Sequence, residues 1–386
     1  MSSSQALGAA ARLRAAARLR AAARLRAAAP AGRPGVSPST TALLEWPDAF
    51  GARGLHDGES PGAHRWLAGA VPLGTPSASS IKEALAEIET LLRTTDPGKR
   101  GVTRVQVPGD LLLAAKQLLR HERSLILTGF PIVTDGKPSE VRGENDGPPG
   151  AIALAEALAL LGRYPVIVGC DYVAPHIRKV LEGSDYPETK GLEVVTFGLR
   201  EAPEKVSQRI LEIYDPDTIV AIERPGPGRD GKHRTMRGRD ITRHVARMDD
   251  LVEKLRREKG TIISALDGGN ELGAGHRALQ STLPRAMSNP GILSAVPADL
   301  AITAGTSNWG AYAIVAALSL LTDRNLLPKP ERERSILEKL KKQDLVDGVT
   351  GEPSDTVDGI GADTLEKFLR DLNEIVLRGL SKKVPA

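Results

Sequence analysis

An apolar run that ends in a polar turn decides the fold. Ile262-Ile263-Ser264-Ala265-Leu266 is followed directly by Asp267-Gly268-Gly269-Asn270-Glu271. A short run that is apolar almost throughout is typical of a strand covered on both faces, as strands are in a parallel sheet between layers of helices. The same kind of run recurs along the chain, at residues 125–127, 166–168, 194–195, 219–222 and 300–302.

Segments with apolar residues at helical spacing flank and separate these strands. Helices are predicted at residues 81–92, 110–120, 149–162, 174–183, 203–214, 240–258, 272–286, 309–323, 329–343 and 363–379. The alternation predicts the α/β class, with a doubly wound, Rossmann-like, mostly parallel sheet of about six strands and helices on both faces. Ligands of such sheets bind at the carboxyl ends of the strands.

Acidic, amide, hydroxyl and glycine residues gather at these predicted strand ends. Asp146 closes the long loop after the first strand, Glu223 ends the fourth, and Asp267 to Glu271 close the fifth. This composition is typical of a site for a polar small molecule, in which glycine lets backbone N–H groups approach the ligand closely.

Each of these features also has a purely structural interpretation. Asp146 precedes Gly147-Pro148, a typical helix start, so capping and ligand contact are both open. Glu223 could instead form an ion pair with its neighbour Arg224. Thr306-Ser307-Asn308 could bind an anion at a helix N-terminus or simply cap that helix. The basic loop at residues 226–239 could close over an anionic ligand or remain a solvated loop.

The candidates for substrate binding come from the same segments and were chosen for backbone N–H groups, amides, hydroxyls and guanidinium groups. They are Gly268, Gly269, Asn270, Arg224, Arg237, Thr306, Ser307 and Asn308.

Charge is distributed unevenly along the chain of 386 residues. Residues 1–60 hold eight Arg and four acidic residues, so the rest holds 44 of the 52 basic and 44 of the 48 acidic side chains. A balanced body with 3% aromatic residues offers neither the charge nor the stacking surfaces of a nucleic-acid-binding protein. No apolar run approaches the ~20 residues that cross a bilayer. We expect a small-molecule partner, no nucleic acid and no membrane; the sequence does not indicate an oligomeric state.

The N-terminal segment has a composition of its own. Ala-Ala-Ala-Arg-Leu-Arg occurs three times, at residues 9–14, 15–20 and 21–26, and the first 44 residues contain no acid. Such a start is typical of an organellar transit peptide, and a solvated low-complexity tract is the alternative. We therefore expect a leader at 1–29, a Pro- and Gly-rich linker at 30–79 and a folded α/β domain at 80–386.

Familiar catalytic and nucleotide-binding motifs do not occur. The chain has no Gly-x-Gly-x-x-Gly after its first strand, no Walker-type phosphate loop, no Gly-x-Ser-x-Gly and no His-Glu-x-x-His. The single Cys170 excludes an internal disulfide and a multi-cysteine zinc site.

Five groups of residues occur in order from the end of the first strand to the C-terminal region. They are Glu144-Asn145-Asp146-Gly147-Pro148-Pro149-Gly150-Ala151; Ile222-Glu223-Arg224-Pro225-Gly226 with Met236-Arg237-Gly238 and Asp240-Ile241; Asp267 to Glu271; Thr306 to Tyr312; and Asp347 to Gly351 with Val357 to Ile360. Together they resemble the C-terminal domain of the D-glutamate cyclase family, over about residues 80–380. We expect the additional N-terminal domain of the animal members to have no counterpart here.

The resemblance implies a carbon–oxygen lyase (a hydro-lyase) that converts D-glutamate to 5-oxo-D-proline and water. It implies a mitochondrial matrix location if the leader is a transit peptide, and a cytoplasmic one otherwise. Two other functions stay open: a non-catalytic metabolite-binding or regulatory domain, and a metal-assisted hydrolase of a phosphorylated small molecule.

Lactam formation needs a neutral α-amine and a protonated leaving oxygen, and two carboxyl groups with separated pKa values can supply both. Asp267 and Glu271 are the first candidates for this chemistry, with Asp146 and Glu223 as alternates. A divalent cation (Mn²⁺ or Mg²⁺) held by several of these acids could supply the same polarisation. No cofactor is certain from the sequence, and both schemes stay open.

Overall fold

Six parallel strands form the central sheet in the computed structural model, which describes residues 78–133 and 141–381. They are β1 (Arg123–Thr128), β4 (Tyr164–Cys170), β5 (Glu193–Phe197), β6 (Thr218–Ile222), β7 (Thr261–Leu266) and β8 (Leu300–Thr303). An antiparallel hairpin of β2 (Pro131–Val133) and β3 (Val141–Gly143), which the sequence did not predict, follows β1. The sheet order is β5-β4-β1-β6-β7-β8, so the chain reverses its direction of winding between β1 and β6.

Helices surround this sheet, which confirms the predicted doubly wound, Rossmann-like class. The helices described are α1 (Ala78–Thr94), α2 (Asp110–Arg120), α3 (Pro148–Leu160), α4 (Ala174–Glu182), α5 (Pro203–Tyr214), α6 (Asp249–Arg257), α7 (Arg277–Ala286), α8 (Ser307–Leu321), α9 (Pro330–Lys341) and α10 (Ala362–Ser381). Of these helices, none is long and apolar enough to cross a membrane.

Two of the helices, α3 and α8, are buried along most of their length and pack against each other. The apolar core holds them in one orientation, and the first turn of each lies beside the other. Helix N-termini carry partial positive charge and unpaired N–H groups, so this edge of the sheet is suited to negative charge.

Two predicted helices were too long at their N-terminal ends. The segment predicted at 272–286 becomes helical only at Arg277, because Gly226 and Leu272 donate backbone hydrogen bonds that join residues 270–272 to the loop after β6. The segment predicted at 240–258 is helical only from Asp249 to Arg257, after a 3₁₀ turn at Thr242–His244. The turn after β7 therefore does not open a helix directly.

The predictions for the N-terminal segment fall mostly on residues that the structure does not describe. The predicted leader, residues 1–29, and residues 30–77 of the predicted linker lie outside the described residues, and α1 begins at Ala78.

Candidate active site

Asp146 lies between the hairpin and α3 and is fully buried. Its carboxylate accepts hydrogen bonds from the backbone N–H groups of Ser307 (2.8 Å) and Asn308 (3.0 Å), at the start of α8. The side-chain oxygen of Asn308 in turn accepts from Gly147 (3.0 Å) and Gly150 (2.9 Å), at the start of α3. These reciprocal contacts cap both helices and fix Asp146 at their junction.

Glu223 follows β6 with a left-handed backbone (φ 46°), which residues other than glycine rarely adopt. Its carboxylate accepts a hydrogen bond from the Ser307 hydroxyl at 2.6 Å. Arg224 turns elsewhere and donates to the carbonyl oxygens of Gly129 and Ala246. The alternative in which Glu223 pairs with Arg224 is therefore not what the structure contains, and Glu223 faces the start of α8.

Asp267 follows β7 and joins the same point. One carboxylate oxygen accepts from the Ser307 N–H at 3.2 Å, and the other lies 2.5 Å from a guanidinium nitrogen of Arg100. A second nitrogen of Arg100 lies 2.7 Å from Asp358, which is in the loop between α9 and α10. Ser307 thus contacts three carboxylates that come from three different connections of the sheet.

Asp146, Glu223 and Asp267 form a buried cluster, which we call the acidic triad. One carboxylate oxygen from each lies within 4.8 Å of the others. Glu144, Glu271 and Asp358, all at least nine-tenths buried, interact electrostatically with members of the triad or with Arg100. One oxygen of Glu271 accepts from the N–H groups of Asp267 and Gly268, while its other oxygen and one oxygen of Asp358 are buried without a hydrogen-bond partner.

Crowding of carboxylates in a dry site favours their protonated forms. Burial raises the pKa of Asp146 to about 7, and the neighbouring charge of Asp358 adds to the shift. Burial, followed by the charge of Glu271, raises the pKa of Glu223 well above its ordinary value. Burial likewise raises the pKa of Asp267, although Arg100 opposes the shift. At neutral pH the triad is therefore poised to exchange protons or to lose them to a bound cation.

The raised pKa of Asp146 predicts how folding stability depends on pH when no divalent cation is present. The folded state binds the Asp146 proton more tightly than the unfolded state, whose carboxyl pKa lies near 4, so folding stability is lost as pH rises from about 4 to about 7. The half-buried His176 and the buried His233, whose pKa values burial lowers, act with the opposite sign in part of this range.

Replacing Asp146 with Asn separates the contribution of Asp146 to the pH dependence of stability from that of the histidines. The melting temperature of Asp146→Asn relative to wild type should rise between pH 4 and pH 7 and stay constant above pH 7, measured in EDTA by scanning calorimetry. The exposed Asp185→Asn should show no such trend. A difference that does not change with pH would contradict the proton assigned to Asp146.

The acidic triad is chemically suited to a divalent cation. Mn²⁺ and Mg²⁺ prefer oxygen ligands, and one carboxylate oxygen from each of three buried residues already converges. The unpartnered oxygens of Glu271 and Asp358 leave further acceptor capacity beside them. The residues present therefore fit such a cation.

In the turn after β7, the polar groups of Gly268 and Asn270 form hydrogen bonds with other protein groups. The N–H of Gly268 donates to Glu271 at 2.6 Å, and the amide of Asn270 donates to the carbonyl oxygen of Arg234 at 2.8 Å. Gly269 has φ 91°, a conformation that glycine tolerates without strain. Gly268, Gly269 and Asn270 thus lie beside the triad, and the contacts of Gly268 and Asn270 in this structure are to the protein.

The remaining predicted binding residues divide into two groups. Thr306 caps α8 by accepting from the N–H of Trp309 at 3.3 Å, and Ser307 and Asn308 contact the triad directly. Arg224, by contrast, is buried with its guanidinium group on main-chain carbonyls, and the exposed Arg237 makes no described contact with the acids. The structure therefore brings the start of α8 into the site and does not bring Arg224 there.

Sequence reasoning missed Arg100 and gave no role to Asp358 or Glu144. Arg100 lies in the loop between α1 and α2, at 167 positions from Asp267, and no periodic pattern marks it. Glu144 and Asp358 occur within the groups of residues quoted above, next to glycines, which was the available signal. Their convergence required the tertiary fold.

The fold and the site define a Rossmann-like α/β protein with a buried carboxylate site at the point where the sheet reverses its winding, a class of site suited to a small polar ligand. Residues 88–373 match the family described as D-glutamate cyclase-like, C-terminal. The chain belongs to this family.

A relative with a functional name supports this membership. The chain is 31% identical over 250 residues to D-glutamate cyclase, mitochondrial, of Homo sapiens. The match covers 63% of this chain and 40% of the human protein, so the chain spans less than half the length of that relative.

Proposed function

We propose that this chain converts D-glutamate to 5-oxo-D-proline and water, as a carbon–oxygen lyase. The observation that carries the proposal is the acidic triad at the N-terminus of α8, where burial raises the carboxyl pKa values. Membership in the D-glutamate cyclase-like family and the name of the human relative agree with this reaction.

The reaction requires two proton movements around one new bond. The amine nitrogen of D-glutamate attacks the carbon of its side-chain carboxyl group, a C–N bond forms, a C–O bond breaks, and the oxygen leaves as water. Two protons move from the ammonium nitrogen to the leaving oxygen over the whole reaction: carboxylates take them from the nitrogen, and the carboxyl groups so formed give them to the oxygen. Raised pKa values let the same cluster hold both forms at neutral pH.

The structure favours particular residues for these roles. Asp267 and Glu223 both have raised pKa values and contact Ser307, so each can hold a proton at the start of α8. Glu271 shares one oxygen with the turn of Asp267 and Gly268 and keeps the other without a partner. We assign proton transfer to Asp267, with Glu271 and Glu223 as its acid or base partners, and positioning to Asp146.

A divalent cation bound by the triad would supply electrostatic polarisation of a substrate carboxyl group. The chain's own contribution is then to hold the three carboxylates rigidly through Ser307 and Asn308 and to exclude water by burial.

Ligand selectivity tests this function. D-glutamate or 5-oxo-D-proline at a hundredfold excess over Kd should stabilise the folded state by ~2.7 kcal/mol, and the L-enantiomers should do so far less. Thermal shift with and without Mn²⁺ or Mg²⁺ measures the binding, and consumption of D-glutamate by chiral chromatography measures turnover.

The outcomes of that experiment separate the alternatives. Selective binding without turnover under any cation condition would indicate a metabolite-binding domain instead of an enzyme. Equal responses to both enantiomers would contradict a D-glutamate site. Hydrolysis of a generic phosphate ester that depends on the cation, without D-glutamate turnover, would indicate the hydrolase alternative.

The proposal extends to location and organisation. The name of the human relative includes mitochondrial, and the Arg- and Ala-rich leader at residues 1–29 has the composition of a transit peptide. We infer a matrix enzyme in which residues 30–79 link this leader to the α/β domain.

A further inference from the structure

Arg100 is the one basic side chain that forms an ion pair with the carboxylates of the site, within residues 78–133 and 141–381. Its guanidinium group bridges Asp267 at 2.5 Å and Asp358 at 2.7 Å, and 16% of its side chain is exposed. A guanidinium group is always charged in proteins, so Arg100 brings a fixed positive charge to these acids. A planar guanidinium group with parallel donors is the side chain best suited to bind a carboxylate through two hydrogen bonds.

The backbone of Arg100 is held independently of its side chain. Asp96 accepts hydrogen bonds from the N–H groups of Arg100 (3.2 Å) and Gly101 (3.0 Å). Gly101 has φ 78°, and a Cβ there would lie 2.5 Å from the carbonyl oxygen of Ala286. The loop is thus packed tightly against the end of α7, while the described side-chain partners of Arg100 are only the two carboxylates.

Arg100 and a cation in the triad would compete for Asp267. Asp267 is a member of the triad, and it also forms the shorter of the two ion pairs of Arg100. A divalent cation bound to Asp267 would neutralise the carboxylate charge that attracts one guanidinium nitrogen of Arg100. It would also repel the positively charged guanidinium group. That nitrogen would then be free at the edge of the site.

A substrate with two carboxylates would need such a group to bind at the proposed site, because six acidic side chains cluster there. We propose that Arg100 is the specificity-determining residue for the substrate's carboxylate. It pairs with Asp267 in the cation-free protein, and cation binding releases it to bind a carboxylate of an amino dicarboxylic acid. This inference rests on the proposed function, and its first step concerns only the protein and the cation.

Two variants with a matched control test it. Arg100→Gln removes the charge, Arg100→Lys keeps the charge without the planar pair of donors, and Arg104→Gln removes an exposed charge from the same loop. Titration calorimetry with Mn²⁺ alone measures the competition, and the KM for D-glutamate at saturating Mn²⁺ measures the carboxylate contact.

The expected results differ between the two measurements. Arg100→Gln should bind Mn²⁺ more tightly than wild type, because the side chain that competes for Asp267 is gone. Its KM should rise ~10- to 100-fold, the loss expected for a hydrogen bond to a charged group, with a smaller change in kcat. Arg100→Lys should fall between Arg100→Gln and wild type in KM, and Arg104→Gln should match wild type in both measurements.

Other outcomes overturn the inference. Unchanged or weaker Mn²⁺ binding by Arg100→Gln, or an unchanged KM, would show that Arg100 only holds the loop of Asp358. If Arg100→Gln does not fold, an Arg100→Lys variant with wild-type KM overturns it equally. If the wild-type protein lacks D-glutamate turnover, the proposed function fails. Tighter Mn²⁺ binding by Arg100→Gln than by wild type then still supports the competition, and unchanged or weaker binding overturns it.

Discussion

Replacing Asp267 with Asn is expected to lower turnover of D-glutamate by ~10³-fold, the scale of a lost general acid or base, while the protein stays folded. Asn keeps the size of the side chain and can still accept a hydrogen bond from the Ser307 N–H. It cannot carry the proton or the charge. Arg100 keeps its contact with Asp358, so no buried guanidinium group is left without a partner.

Stability should change little in this variant. Asn removes an ion pair with Arg100 and also removes repulsion from Asp146, Glu223 and Asp358, and these two effects oppose each other. We expect the free energy of unfolding to stay within about 1 kcal/mol of wild type, as for a substitution that creates no cavity and no unpaired charge. Urea denaturation and steady-state kinetics measure the two quantities, with the exposed Asp185→Asn as the control.

The same variant should bind Mn²⁺ more weakly, since it loses one of three converging carboxylates. Full activity in Asp267→Asn would move the chemistry to Glu223 and Asp146. Lost activity with intact Mn²⁺ binding would show that Asp267 transfers protons without serving as a ligand.

The sequence was sufficient to predict the central sheet and four of the acids at the candidate site, Asp146, Glu223, Asp267 and Glu271. The strands are apolar almost throughout and alternate with helices, and this pattern depends only on local residue types. Parallel strands carry their carboxyl ends to one edge, so Asp146, Glu223 and Asp267 were expected near one another before any distance was known. The structure brings their carboxylates together.

The parts that sequence did not predict depend on contacts between distant segments. Arg100 lies in an irregular loop, and its position depends on the packing of Gly101 against Ala286. The start of α7 was misplaced because residues 270–272 pair with residues 224–226, a contact that no local pattern encodes. Arg224 follows a strand as a ligand-binding residue would, but its side chain turns to main-chain carbonyls near α6.

Gly147→Ala should lower activity by ~10²-fold, because Gly147 lies in close contact with the site. Gly147 has φ 94° between Asp146 and the first residue of α3, and a Cβ there would lie 2.5 Å from the Thr128 hydroxyl and 2.8 Å from the Cβ of Glu223. Real Cβ atoms do not approach other atoms so closely, so the start of α3 or Glu223 must shift. Displacements of about 1 Å in a catalytic constellation cost ~10²-fold in rate.

Gly162→Ala provides the matched control for the backbone effect. Gly162 follows the other end of α3 with φ 72°, and a Cβ there would meet no atom within 4 Å. Both substitutions force alanine into a positive φ, which costs ~1–2 kcal/mol in the left-handed helical region, and the ψ of −54° places Gly147 outside that region. Only Gly147→Ala adds a clash with the acids. We therefore expect a loss of stability in both variants, the larger loss in Gly147→Ala, and near wild-type kcat/KM only in Gly162→Ala. Equal activity of the two variants would place the reaction away from the junction of α3 and α8.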